Sequence, residues 1–377
     1  MNIKNLKAIN KVFQKLNNLR RWTGFITEGK YDEISKQSLN CCICFMLAIE
    51  AETRGETINW ERFPKIAIYR AFQKAYVNSD VPEHILKEIC DLGNVPFDKT
   101  FKEVTFGIIT EKTDEEFASW LNEGCGTVEE RIYKAATKIA TFLELKEVQK
   151  NMNGQYAIKY DQIVKSMAKY EDIPGFTVVS NTESGYFKVF EDISKLRNQN
   201  RWATYAYLVE CSVLGHLFDT GVFAYLMAIE RGETEEVATK CFFKGIFHDV
   251  PEAFTKDMPS PIKDKIPGFR DLTEEYEHKM MEKSFYPFVS KDTEKALKEL
   301  ISDSAENDRL KALIKGADYI SAVSEIWRQL VAGSRDEEFV SSIDVHTKKF
   351  NKGIAEFTPT SKELYDWMED YAIKLNL

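Results

Sequence analysis

Apolar residues recur at three- and four-residue intervals along most of the chain, the spacing of amphipathic helices. Phe187, Val189, Phe190 and Ile193 form one such stripe, and Leu217, Phe218, Val222, Phe223, Leu226 and Met227 form another that stops at Gly232. Thr234 followed by Glu235 and Glu236 reads as a helix start, with a capping hydroxyl and acids in the positive first turn. The next apolar run, 237–247, leads into His248-Asp249. The same periodicity predicts helices over 273–289, 294–302, 306–332 and 361–375. Strand signals are confined to VTFGII (104–109) and FTVV (176–179), each of which also suits an extended loop. The predicted class is all-α.

The pattern also repeats. LNNLRRW (16–22) matches LRNQNRW (196–202), and CCICFMLAIEAETRGET (41–57) parallels GVFAYLMAIERGET (221–234). FPKIAIYRAFQKAY (63–76) then parallels CFFKGIFHDVPEAF (241–254), and YKAATKIATFLEL (133–145) parallels IKGADYISAVSEI (314–326). Order and helical pattern are kept although identity is weak, as in an internal duplication. The turn formers NMNGQ, DIPGF and SNTESG mark a junction. The expected division is 1–150, a linker at 151–180, and 181–377.

Composition narrows the function. A length of 377 residues suits two domains. With 60 acidic against 51 basic residues the formal net charge is −9, which disfavours broad nucleic-acid binding but leaves room for a small anionic substrate in a locally basic pocket. The seven cysteines have no framework spacing, and Cys41, Cys42 and Cys44 sit in an apolar run, so reduced, buried thiols in a cytoplasmic protein are expected. No signal peptide or run of about 18 apolar residues is visible, so no membrane association is expected. Walker, GxGxxG and CxxC motifs are absent.

Candidate chemistry concentrates in the second half. His216, His248, Asp249 and Asp318 offer imidazole and carboxylate donors suited to one divalent metal such as Mn, Co, Ni, Fe or Zn. Glu252 follows Asp249 by three residues, which on a continuing helix places it on the same face. Asp257 and Lys263 lie in a segment broken by Pro259 and Pro261, expected to leave the helix as a wall or lid. His84, His278 and His346 have polar surroundings or no companions and read as surface residues, and Trp22, Trp60, Trp120, Trp327 and Trp367 as packing residues.

NRW (200–202), ECSVLGH (210–216), FHDVPEAFTKDMPSPIK (247–263), EYE (275–277) and KGADYI (315–320), in this order, resemble the HD-domain metal-dependent phosphohydrolases, within them the bacterial 5′-deoxynucleotidase (YfbR-like) branch. The resemblance covers about 196–332. It implies an HD-type helical bundle in which His216, His248, Asp249 and Asp318 hold the metal and Glu252 is the acid/base carboxylate. It further implies that Arg201 grips the phosphate, Trp202 shapes the sugar-base side and Asp257 senses a sugar hydroxyl. Lys263 either approaches the phosphate or stabilises its loop. Glu210 either orients a ligand histidine or forms a salt bridge. One departure stands out: Leu214-Gly215 replaces the Ser-Glu that usually precedes the histidine in this branch.

The implied reaction is removal of the 5′-phosphate from deoxyribonucleoside 5′-monophosphates by attack of a water activated at the metal. Alternatives on the same residues are hydrolysis of deoxynucleoside triphosphates, with Lys256, Lys263 and Arg270 serving extra phosphates, or of cyclic nucleotides. A nucleotide-sensing regulatory protein is a third reading. In the first half, Ser35 or a neighbour parallels His216, Arg70-Ala71 parallels His248-Asp249, Lys74 parallels Glu252 and Thr137 parallels Asp318. That half is therefore expected to be a degenerate copy without metal ligands, packing as a pseudo-subunit in a monomer or as part of a homo-oligomer. Arg21-Trp22 persists there and leaves room for an allosteric nucleotide pocket.

Overall fold

The computed structural model describes residues 1–25, 27, 29–149, 155–257, 265–301, 308–334, 336–337 and 358–374. The first half contains α1 (Ile3–Asn18), α2 (Glu33–Thr53), α3 (Arg62–Gln73), α4 (Glu83–Leu92), α5 (Phe97–Lys112), α6 (Glu115–Asn122) and α7 (Val128–Val148). α8 (Tyr156–Met167) and α9 (Phe176–Ser180) follow, then α10 (Gly185–Ser194), a two-stranded ribbon of β1 (Asn200–Arg201) and β2 (Cys211–Ser212), and α11 (Val213–Glu230). The chain continues through α12 (Glu235–Phe247), α13 (Glu252–Thr255), α14 (Phe269–Ser284), α15 (Lys291–Ile301), α16 (Asp308–Val331) and α17 (Pro359–Lys374). The all-α class holds, and the predicted helices lie within a few residues of α14 to α17.

Both strand candidates are helical: 104–109 lies inside α5 and 176–179 inside α9. In α5 the β-branched residues of 104–109 come as adjacent pairs four apart, Val104-Thr105 and Ile108-Ile109, and only Thr105 and Ile109 are buried. Four-residue burial is a helical signature that the short apolar run conceals. The ribbon escapes the sequence pattern because each strand is only two residues long.

Capping chemistry fixes the principal helix starts. Asp32, Thr127, Ser184, Ser212 and Thr234 each accept a hydrogen bond from the backbone N–H three residues ahead. Gly232, at φ 77°, ends the turn after α11 in the left-handed region that glycine tolerates.

Two helices form the centre. Every residue of α2 from Glu33 to Ala51 and of α11 from Val213 to Ala228 is buried, and the two helices pack against each other. α7 and α3 lie against α2, while α12 and α16 lie against α11. One hydrophobic core runs through both halves. α11 is apolar and long enough to span a membrane by composition, yet 89% of it is buried inside the protein, as a core helix is. Cys41, Cys42, Cys44, Cys211 and Cys241 are buried thiols, Cys90 and Cys125 are half-buried, and all seven are free.

Candidate metal centre

The site forms where α11, α12 and α16 meet. α11 and α12 cross at Gly221 and Gly245, where a Cβ on Gly245 would stand only 2.7 Å from the Gly221 Cα. This close approach brings the end of α12 beside His216 on α11, with the two imidazole centroids of His216 and His248 5.6 Å apart. α12 stops at Phe247 and Glu252 opens the separate short helix α13. The continuous helix expected from Asp249 to Glu252 is absent because Pro251 has no N–H to extend α12. Asp318, Ser321 and Glu325 share one face of α16 by their three- and four-residue spacing.

Hydrogen bonds orient both imidazoles. His216 Nδ1 lies 3.0 Å from Glu325 Oε1 and 3.0 Å from Ser321 Oγ, while its Nε2 lies 3.1 Å from Asp318 Oδ1. His248 Nδ1 donates to the Gly245 carbonyl at 2.8 Å, leaving Nε2 buried without a hydrogen bond and 3.1 Å from Asp249 Oδ2. The donor atoms of His216, His248 and Asp249 all lie within 4.8 Å of one another. A histidine tied at Nδ1 and presenting an unused Nε2 to carboxylates is the usual arrangement of a metal ligand. The residues therefore fit a divalent metal on their own geometry, with Asp318 positioned to join the set through its contact with His216.

The electrostatics agree. Burial and Arg201 alone would lower the His216 pKa, but Glu325 and Asp318 carry it up to about 9, so without metal the ring holds a second proton that a cation would displace. Burial would raise the Asp318 and Asp249 pKa values. Lys315, 2.5 Å from Asp318, and the histidines hold the Asp318 carboxyl well below its ordinary range, and His248 does the same for Asp249. Glu325 is opposed by burial yet lowered to about 2 by Arg201 and His216.

Glu325 is the residue sequence reading missed. Besides His216, it accepts Arg201 Nε at 3.0 Å and Trp202 Nε1 at 2.8 Å, joining the NRW segment to His216. Its signal was present in the repeat, since Glu325 in YISAVSEI parallels Glu144 in KIATFLEL. Trp202 takes φ 63°, a costly backbone state for an aromatic residue, stabilised by that indole bond. Glu252 is buried beside the ribbon, with its carbonyl accepting from Gln199. Asp257 is exposed and close enough to raise the Arg201 pKa together with Glu325. Lys263 lies outside the described residues, as do Pro259, Pro261 and His346. Glu210 pairs with Arg20 at 3.0 Å, the salt-bridge alternative. His84 and His278 are exposed.

The Leu214-Gly215 departure has a packing cause. A Cβ on Gly215 would stand 2.8 Å from the Ile34 side chain of α2, so a larger residue would have to displace Ile34 where the first half packs.

Comparison with known proteins places this geometry. The profile of the YfbR-like 5′-deoxynucleotidase family matches residues 188–361, a span that includes every residue of the centre. A 5′-deoxynucleotidase YfbR of Shigella boydii is 24% identical over 153 residues, covering 39% of this chain and 75% of the relative. One from Escherichia coli gives the same figures. A 5′-deoxynucleotidase of Photorhabdus laumondii is 22% identical over 191 residues, covering 49% of this chain and 89% of its own. Residues 188–361 thus match the YfbR-like 5′-deoxynucleotidase family, and the relatives that align with this half are named as 5′-deoxynucleotidases, which are hydrolases.

Proposed function

We propose that the second half is a metal-dependent phosphomonoesterase that removes the 5′-phosphate of deoxyribonucleoside 5′-monophosphates. The match to the YfbR-like family and the names of the relatives support the broader class, a nucleotide phosphohydrolase. The observation that carries the site is the pair of oriented imidazoles, His216 fixed by Glu325 and His248 fixed by the Gly245 carbonyl, both facing Asp249 and Asp318.

His216, His248, Asp249 and Asp318 are the proposed metal ligands. A divalent transition metal bound there supplies Lewis-acid polarisation of the phosphate and a nucleophile at neutral pH. Glu252 moves the proton between water and the leaving alkoxide. Arg201, with Nε held by Glu325, directs the rest of its guanidinium fork to the phosphate oxygens. Trp202 bounds the sugar-base side and exposed Asp257 meets a sugar hydroxyl. Lys263 is assigned to the phosphate side on sequence alone.

We further infer that residues 1–150 are a degenerate copy acting as a built-in second subunit, linked through 151–180, in a cytoplasmic enzyme with no nucleic-acid partner. α11 supports this, since it buries one face against α2. A soluble, fully active fragment 181–377 would overturn the scaffold role.

The deciding experiment measures product release by metal-reconstituted protein from ribo- and deoxynucleoside mono-, di- and triphosphates. Free phosphate from deoxynucleoside monophosphates is expected, and H248A and D249A abolish it. Released triphosphate or pyrophosphate would move the substrate to deoxynucleoside triphosphates. Binding without turnover of any nucleotide would make the protein a sensor.

A further inference from the structure

The first half repeats the contacts of the metal centre with inverted charge. Arg21 reaches Glu144 Oε2 through Nε at 3.2 Å and Nη2 at 2.9 Å, and Trp22 Nε1 donates to the same oxygen at 2.9 Å. Arg201 Nε and Trp202 Nε1 make the corresponding contacts with Glu325, while Arg21 Nη1 also donates to Glu33 at 2.8 Å, and Trp22 shares the left-handed backbone at φ 57°. The backbone bridge Arg20–Asp32 matches Asn200–Ser212 in the ribbon. Asp32 and Ser212 then cap α2 and α11, each accepting from the N–H three residues on.

Counted from those caps, the fourth residue is His216 in α11 and Lys36 in α2. Lys36 is 4% exposed, and its ammonium donates to Thr141 Oγ1 at 2.5 Å, on the α7 face that also carries Thr137 and Glu144. A buried cation thus replaces a metal ligand. The centre in the second half sets Asp249, Glu252, Asp318 and Glu325 against Arg201 and Lys315, a surplus of acid that calls for a cation. The first half sets Arg21, Lys36 and Lys74 against Glu33 and Glu144, a surplus of base. Lys74 makes no ion pair among the described residues, and its charge acts on both Lys36 and Glu33. Lys138, paired at 3.9 Å with Glu83, adds a further ammonium near Lys74. Arg21, Trp22, Lys74, Thr137 and Lys138 are half-buried, so this cluster of basic groups reaches solvent although Lys36 itself is buried.

We propose that this basic cluster binds a phosphate-bearing anion, met by the Arg21 guanidinium and the Lys36 and Lys74 ammonium groups, with the Trp22 indole alongside. A dianion brings the charge the cluster lacks, as a metal would in the other half, and it is bound without hydrolysis because no metal-ligating set surrounds it among the described residues. Burial beside Arg21 pulls the Lys36 ammonium down to about 7, a desolvation strain that an incoming anion relieves. The site stands independently of which phosphate ester the second half cleaves.

Full-length, chelator-treated protein titrated with inorganic phosphate and, separately, with dAMP tests this by calorimetry and phosphorus NMR. One phosphate per chain is expected, weakened at least about tenfold in K74E, the loss of one charge-assisted contact, and weakened likewise in K36M. R201A leaves it intact, and thermal melting confirms that each variant is folded. Tighter binding of dAMP than of phosphate would make the ligand a nucleotide, and equal affinity would make it free phosphate. The proposal fails if neither probe binds, or if R201A removes binding while K74E retains it.

Discussion

Glu144→Gln isolates the electrostatics of the first half without touching the metal centre. Glu144 is buried and accepts Arg21 twice and Trp22 once, with Lys36 and Arg197 nearby. Burial alone would raise its pKa, but Arg21, Lys36 and Arg197 hold it down to about 2 against an ordinary 4.5. That gap corresponds to about 3 kcal/mol of stability, present in full above the unfolded pKa and lost as pH falls from 4.5 towards 2. Gln keeps the shape and removes the charge. At about 2.1 cal/mol/K of unfolding entropy per residue, the expected loss in Tm at pH 7 is about 4 °C. Calorimetry at pH 7 and pH 4 checks the cause as well as the size. The deficit of the variant should shrink by about 1 kcal/mol at pH 4, where the wild-type carboxylate begins to protonate in the unfolded chain. Equal Tm values at pH 7, or a deficit unchanged by acid, would refute the reasoning.

The counterpart Glu325→Gln should cost a similar stability, and it alone should also weaken metal binding, by about 10–100-fold, measured by metal titration, because it frees the His216 ring. Lys36→Met should act in the opposite direction. The lysine falls from 10.5 unfolded to about 7 folded, so the unfolded chain binds the extra proton between those values and wild-type stability rises with pH across that window. The variant should be more stable at pH 6, by up to about 5 kcal/mol, and should lack that rise in denaturant titrations at pH 6 and pH 10. Gly245→Ala should cost about 1–3 kcal/mol by overpacking against Gly221 and should raise the metal Kd by displacing His248, both read from melts with and without metal.

Much of this was legible where periodicity is long. The stripes that predict 294–302 and 306–332 continue over several turns, and α15 and α16 fall there. Thr234 was readable because a cap is chemistry as well as pattern. At 104–109 a six-residue window carried too few turns to separate burial every fourth residue from alternation, and tertiary contact made it helix. His216, His248, Asp249 and Asp318 were legible through ordered motifs, and their convergence needed the Gly221–Gly245 crossing. Glu325 had no motif of its own. A glutamate on an amphipathic helix is ordinary until its Arg, Trp and His partners from distant elements are known.

Gly215 ties the two halves together at one point. Ile34 from the first half fills the space that a side chain at this position would need, within 2.8 Å of where its first carbon would stand. A larger residue here requires the Ile34 side chain or α2 to shift, and removing α2 would uncover a glycine in the first turn of α11. The start of α11 is therefore shaped by a side chain of the other half, and a change at Gly215 is coupled to a change at Ile34.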